Sequence, residues 1–168
     1  MKILLLILVV LLVATIFVFA IRKERQAAAK WPFYAKKIMT SPEQVLFHRL
    51  NKALPEHIVL AQVQMSRVLG VKRGANFGFW HNRINRLSLD YVVCRKDAAA
   101  IAAIELDDAS HDQASRQYAD LRKEVALKSA GVPLIRWRVA AMPSEQEIRD
   151  TFAPFALGAI GSIVPTRD

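Results

Sequence analysis

The chain has 168 residues, room for one domain of ordinary size plus an appendage. Its 24 Lys and Arg outweigh 15 Asp and Glu to give a net charge of +9, which turns attention to polyanionic partners, either nucleic acid or an anionic membrane surface. A single cysteine, Cys94, excludes an intramolecular disulfide and fits a reducing compartment.

From Ile3 to Ile21 every residue but Thr15 is apolar or small. At about 1.5 Å of rise per residue such a helix spans roughly 28 Å, close to the hydrocarbon thickness of a bilayer. Lys2 precedes the stretch, and Arg22, Lys23, Arg25 and Lys30 follow it with only Glu24 against them. The heavier positive flank is C-terminal. The expected topology is therefore a single pass through a bacterial inner membrane, N-terminus outside and the rest in the cytoplasm. The alternative, a cleaved secretory signal, calls for a more basic start, a shorter apolar core and small residues before the cut. Phe17-Val18-Phe19-Ala20-Ile21 followed by Arg22-Lys23 fits that poorly. The chain then divides into an anchor over 1–21, a juxtamembrane linker over 22–39, a domain over 40–155 and a loose tail over 156–168. Trp31, Phe33 and Tyr34 in the linker suit the headgroup level.

Ser41-Pro42-Glu43-Gln44 reads as a helix start, with Ser41 as N-cap, Pro42 in the first turn and Gln44 closing a capping box. Val45, Leu46, Leu50 and Leu54 give the apolar periodicity, and Pro55 stops the helix. Residues 57–65 alternate loosely and predict a strand. Residues 66–86 are polar, basic and glycine-bearing, with a helical turn expected near 79–86. Leu87–Cys94 predicts a second strand, with Leu89, Tyr91 and Val93 on one face and Ser88, Asp90 and Val92 on the other. Arg95-Lys96-Asp97 makes a turn into a third strand over 99–106, where the alanines leave a helix as a competitor. Asp112–Ala130 is a helix capped by Asp112 and ended by Gly131. Val132–Val139 is a fourth strand, and Pro143-Ser144-Glu145 opens a final helix reaching about Phe155. The order α-β-β-β-α-β with a trailing helix predicts an α/β domain: a mixed sheet with helices on both faces.

The chemistry concentrates where the third strand ends, in AAIAAIELDDASH over 99–111. Glu105 and Asp107 lie two apart and share a strand face, and Asp90 can lie across from them if the second and third strands form a hairpin. Carboxylates crowded at the end of a buried strand repel one another unless a cation neutralises them. Hard oxygen ligands of this kind suit Mg²⁺ or Mn²⁺, which polarises a phosphoryl oxygen and activates a water. Glu43 could add a fourth carboxylate, or simply favour its helix dipole. Asp107 reads equally as a ligand or a helix cap. Asp108 reads as a loop or cap residue. His111 reads as a general base, a phosphate contact or a capping residue.

The following helix carries two stripes. Ala114, Tyr118, Leu121 and Val125 form an apolar one; Arg116, Asp120, Lys123 and Leu127 form a charged one on roughly the opposite side. Because the charged stripe ends in Leu127, it is read as partly buried, where a fixed lysine or arginine could face developing phosphate charge. Between Trp31 and Leu89 nine Lys and Arg stand against Glu43 and Glu56. Arg67, Lys72, Arg73, Trp80, Arg83 and Arg86 are the candidates for contact with nucleic-acid phosphates and bases, with Phe77 and Phe79 among them. The competing reading sends those aromatics into the core.

Glu43, Asp90 in LDYVV, IELDDASH at 104–111, the spaced run Arg116, Asp120, Lys123, Leu127 and Gly131, and Leu134-Ile135-Arg136-Trp137 together resemble the restriction-endonuclease-like superfamily. The closer resemblance is to the branch holding very-short-patch-repair endonucleases and the domain of unknown function 2726, over roughly residues 40–140. The resemblance implies an αβββαβ core in which Asp90 and Glu105 hold a divalent metal for phosphodiester hydrolysis, with DNA as the expected partner. Where the broad superfamily has Glu-x-Lys, this chain has Glu105-Leu106-Asp107. The missing base is then supplied from the helix, by Lys123 first and Arg116 second. The alternative is a catalytically inactive module of the same fold that binds nucleic acid, protein or anionic lipid at the membrane.

Overall fold

A computed structural model describes residues 2–28, 31–108 and 114–156. The chain forms two units, divided after Lys36. In the first, helix α1 runs Lys2–Ala28. Its segment Lys2–Glu24 is 23 residues long and contains an 18-residue stretch of mean hydropathy 3.4, long and apolar enough to cross a bilayer. The helix outruns the apolar stretch because nothing between Arg22 and Ala28 breaks it: no proline or glycine stands there. Residues 31–37 have no regular secondary structure.

The second unit is a mixed α/β domain. Its elements are α2 (Ser41–Ala53), β1 (Ile58–Gln64), α3 (Met65–Val68), α4 (Phe77–Ile84), β2 (Ser88–Cys94), β3 (Ala100–Asp107), α5 (Ala114–Ser129), β4 (Leu134–Arg138) and α6 (Glu145–Ala156). The four strands form one sheet in the order β1-β2-β3-β4. β1 and β2 are antiparallel, β2 and β3 are antiparallel, and β3 and β4 are parallel. The alanines of 99–106 form a strand, not a helix. The parallel partner β4 covers one edge of β3 and the hairpin partner β2 the other, so tertiary pairing overrides propensity.

Two apolar cores lie on the two faces of the sheet. On one, Leu46, Leu50, Ala53 and Leu54 from the α2 segment and Ile148 and Phe152 of α6 pack on Val59, Tyr91, Val93, Ala102 and Ile104. On the other, Leu127 of α5, Ile84 of α4 and Met65 of α3 pack with Leu87, Leu89, Val92, Cys94 and Ala103. Burying a side chain such as Leu50 or Ile148 contributes about 1.5–3 kcal/mol. From Ala102 onward β3 alternates, Ala102, Ile104 and Leu106 to the first core and Ala103 to the second, whereas Ile101 joins Ala102 on the first core where the pairing with β2 shifts register at Val93/Cys94.

β1 and β2 do not alternate cleanly. Val59 and Ala61 serve the first core, whereas Val63 and Met65 serve the second. Across from them Tyr91 and Val93 serve the first core and Leu89 the second, so Leu89 does not share a face with Tyr91 as its spacing predicts. The switch falls at Gln62, whose φ of +53° is left-handed. Pairing passes from Ala61–Tyr91 to Val63–Leu89, which sets Gln62 opposite Asp90. A left-handed residue there turns the strand over and carries both chains from one core to the other.

The start of α2 also differs from expectation. Thr40, not Ser41, is the N-cap, and Glu43, not Gln44, closes the capping box. The Glu43 carboxylate accepts from the Thr40 backbone N–H and from its hydroxyl at 2.8 Å, while the Gln44 amide donates to the Met39 carbonyl at 3.0 Å. A charged acceptor binds the free cap N–H more strongly than a neutral amide does, and Glu43 takes the position.

Candidate functional site

β2 and β3 pair with Tyr91 opposite Ile104 and Val92 opposite Ala103. One further step of the same register sets Asp90 opposite Glu105, and residues opposite each other across an antiparallel pair project to one face. That face is the one α5 covers, because Val92, Ala103 and Leu127 share its core. Leu127 is fully buried and fixes the helix against the sheet; one turn earlier Lys123 meets Glu105.

Lys123 Nζ donates to both oxygens of Glu105, at 2.9 and 2.8 Å. The pair is buried, with side chains 14% and 7% exposed. Asp90 Oδ2 accepts the backbone N–H of Leu106 at 2.8 Å, so its carboxylate leans over the end of β3. No ion pair among the described residues includes Asp90. Burial raises the Asp90 pKa above the usual carboxylate range, and the charges of Glu43 and Asp107 add to the rise against the Leu106 N–H and Lys123. Burial pushes Glu105 up to about 7, with Asp90 acting in the same direction and Lys123 opposing it. Buried Glu105 and half-buried Asp90 are thus adjacent carboxylates, and the nearby lysine is bonded to Glu105.

Asp107 projects to the same face as Glu105 and accepts from Arg136 at 3.4 Å; the same guanidinium lies 3.8 Å from Asp120. Arg136 is the β4 neighbour of Glu105 in the parallel register, so one strand supplies the cation for the acids around it. Glu43, on α2, spends its carboxylate on the Thr40 cap and on the Gln62 amide, which donates to Oε1 at 3.1 Å. Its backbone carbonyl accepts the Tyr91 hydroxyl at 2.6 Å. Gln62 therefore links Glu43 to the strand position opposite Asp90. Sequence reading passed over it, although a glutamine in the middle of IVLAQVQ was a visible signal.

Arg67 closes α3, Lys72 and Arg73 lie between α3 and α4, Trp80 and Arg83 lie on α4, and Arg86 lies before β2; all six are exposed. The α4 aromatics do not enter the core: Phe77, Phe79 and Trp80 are exposed, and the Arg83 guanidinium lies 5.4 Å from the Phe79 ring centre and 5.8 Å from that of Trp80. Arg116 stands in the first turn of α5, and its side chain lies outside the described residues. His111, the Asp112 cap and the tail beyond Ala156 also lie outside them.

Among the described residues no three His, Cys, Asp or Glu side chains form a group that could hold a metal ion. The donor set is narrower: Asp90 and Glu105, both hard, Glu105 buried and Asp90 half-buried and in no ion pair among the described residues. That suits Mg²⁺ better than a closed protein cage would, because Mg²⁺ takes one or two carboxylates and keeps several waters. The pair fits a divalent ion on condition that Lys123 yields part of Glu105.

Fold and site define a mixed α/β domain in which a helix lysine pairs with buried Glu105 beside Asp90, preceded in the chain by a helix long and apolar enough to cross a membrane. The chain belongs to the family described as Protein of unknown function (DUF2726), whose model matches residues 35–155. No curated protein and no solved structure matches it.

Proposed function

We propose that the domain has the restriction-endonuclease-like αβββαβ core and hydrolyses nucleic-acid phosphodiesters, DNA foremost, at the cytoplasmic face of a membrane spanned by α1. The observation that carries this reading is the placing of half-buried Asp90 beside buried Glu105 on paired strands, with Lys123 bonded to Glu105. Asp90 and Glu105 would hold Mg²⁺ or Mn²⁺; the ion, when bound, polarises a phosphoryl oxygen and favours ionisation of a water. Lys123 keeps Glu105 in place and carries the positive charge nearest the carboxylates, where negative charge builds on a phosphate. Arg136 holds Asp107 and Asp120 so that neither crowds the pair further. Gln62 and Thr40 hold Glu43 close enough for its charge to be felt at Asp90. Arg67, Lys72, Arg73 and Arg86 supply the cationic ground for the phosphate backbone. Trp80 and Arg83 lie on α4, with Phe79 beside both.

One observation favours a second reading, a module of the same fold that binds without cutting. Lys123 occupies both oxygens of Glu105, so the carboxylate is already satisfied. The full-length chain in neutral detergent, incubated with plasmid and single-stranded DNA, separates the two. Hydrolysis requires Mg²⁺ or Mn²⁺ and is lost in Asp90→Ala. Equal behaviour of wild type and Asp90→Ala overturns the enzyme reading. Salt-sensitive binding without metal dependence then leaves the module.

A further inference from the structure

α5 presents its faces in an unusual sense. The side toward the sheet carries Ala119, Lys123, Ala126 and Leu127, whereas Tyr118, Leu121 and Val125 face outward and are 57%, 57% and 60% exposed. An ordinary surface helix does the reverse. Three large apolar residues on one exposed stripe mark a surface that something covers. The stripe does not end with α5. Arg122 lies 5.0 Å from the Tyr118 ring centre and donates to the Arg83 carbonyl of α4 at 3.4 Å, and Arg83 in turn covers Phe79 and Trp80. Two helices therefore share one face that is aromatic, aliphatic and arginine-rich.

We infer that this α4–α5 face lies on the surface of an anionic bilayer, with Trp80, Tyr118, Leu121 and Val125 at the headgroup–acyl boundary and Arg83 and Arg122 on lipid phosphates. Three features choose this occupant. Charge is complementary: Arg83 and Arg122 stand among the aromatics of this face, and α4 with its flanking segments, from His57 to Leu89, holds no acid. The composition is that of an interfacial surface, Trp and Tyr beside Leu and Val with arginines at the rim. Leucine and valine gain nothing from a sugar-phosphate backbone, which speaks against nucleic acid as the main occupant. The chain also brings its own bilayer: the linker ties the domain to α1, so even a weak surface affinity acts at high effective concentration. This inference stands apart from the nuclease reading and survives its failure.

The test uses the full-length chain reconstituted in vesicles of phosphatidylcholine alone or mixed with phosphatidylglycerol. A nitroxide is placed on Leu121→Cys and, as a water-facing reference, on Gln146→Cys of α6; Cys94 is buried and out of reach of the label. In anionic vesicles the Leu121 label should lose most of its collisions with a water-soluble nickel complex and gain collisions with oxygen, while the Gln146 label stays wet. The shift should shrink in phosphatidylcholine and vanish in Tyr118→Ser/Val125→Ser, whose changes are at exposed positions and leave the cores intact. A domain held at the vesicle by α1 alone leaves Leu121 as wet as Gln146 in both lipids, and overturns the inference. Strong dipolar broadening between Leu121 labels overturns it in favour of a second copy. Shielding that appears only with added oligonucleotide overturns it in favour of nucleic acid.

Discussion

Replacing Glu105 by glutamine keeps the shape of the site and removes its most perturbed charge. The folded chain holds this carboxyl at about 7 against an ordinary value of 4.5. Each tenfold change in proton affinity is worth about 1.4 kcal/mol, so ionising Glu105 in the folded state costs about 3 kcal/mol relative to the unfolded chain. Between the two values the folded state binds a proton that the unfolded state has released. Stability contributed by this group is therefore complete below 4.5 and lost as pH rises through about 7. Asp90, raised by burial, acts in the same direction. Glu56, Asp97 and Glu147 are lowered by their partners and act oppositely, but only below the ordinary carboxylate range. Urea unfolding of the full-length chain in neutral micelles, followed by near-ultraviolet circular dichroism, should show the domain weakening by up to about 3 kcal/mol between about pH 5 and about pH 8. In Glu105→Gln most of that slope should disappear. A wild-type profile that is flat or rises over this interval refutes the reasoning, as does a slope that survives the substitution.

Lys123→Met leaves Glu105 buried without its cation and should destabilise the domain by roughly 3–5 kcal/mol, while Lys123→Met combined with Glu105→Leu should recover most of it; a double-mutant cycle in urea measures the coupling. At Gln62, where φ is +53°, Gln62→Gly should be more stable than Gln62→Ala by about 1 kcal/mol, since both lose the amide and only alanine keeps the left-handed penalty. Tyr91→Phe removes the hydroxyl that donates to the Glu43 carbonyl and leaves that acceptor short, a loss of about 1–2 kcal/mol visible as a lower unfolding midpoint. At about pH 8, adding Mg²⁺ should raise the midpoint of wild type and leave Asp90→Asn unmoved, because a ligand bound only by the folded state stabilises it by mass action.

Much of this organisation is legible in the residues because local patterns and tertiary demands agree there. The helix start near residue 41, the alternation of Tyr91, Val92 and Val93 in β2 and the Gly131 stop after α5 are examples; Gly131 has a φ of +71°, where a side chain would be strained. Elsewhere two local solutions were nearly equal in energy, and only the folded chain chose. Thr40 and Ser41 are both good caps, and the choice turned on which following side chain could reach back to the free N–H. The faces of 87–94 were misread at Leu89 because alternation assumes a regular partner strand, and the left-handed Gln62 on β1 breaks that assumption from a distant part of the sequence. For α5, spacing gave both stripes, and Leu127 at the end of the charged one marked it as partly buried, which the packing of Leu127 and Lys123 against the sheet matches. Hydrophobicity alone would bury Tyr118, Leu121 and Val125. Each helical residue turns about 100°, so Lys123 points nearly opposite to Leu121 and Val125 and no rotation can bury both sets. A carboxylate that β3 carries into the core at 6% exposure must have a cation, and leaving it unpaired would cost more than exposing apolar surface to water. The electrostatic demand of Glu105 and the burial of Leu127, which lies on the same side as Lys123, therefore set the rotation of α5 together. The apolar face turned outward is a consequence of pairing Lys123 with Glu105 and burying Leu127.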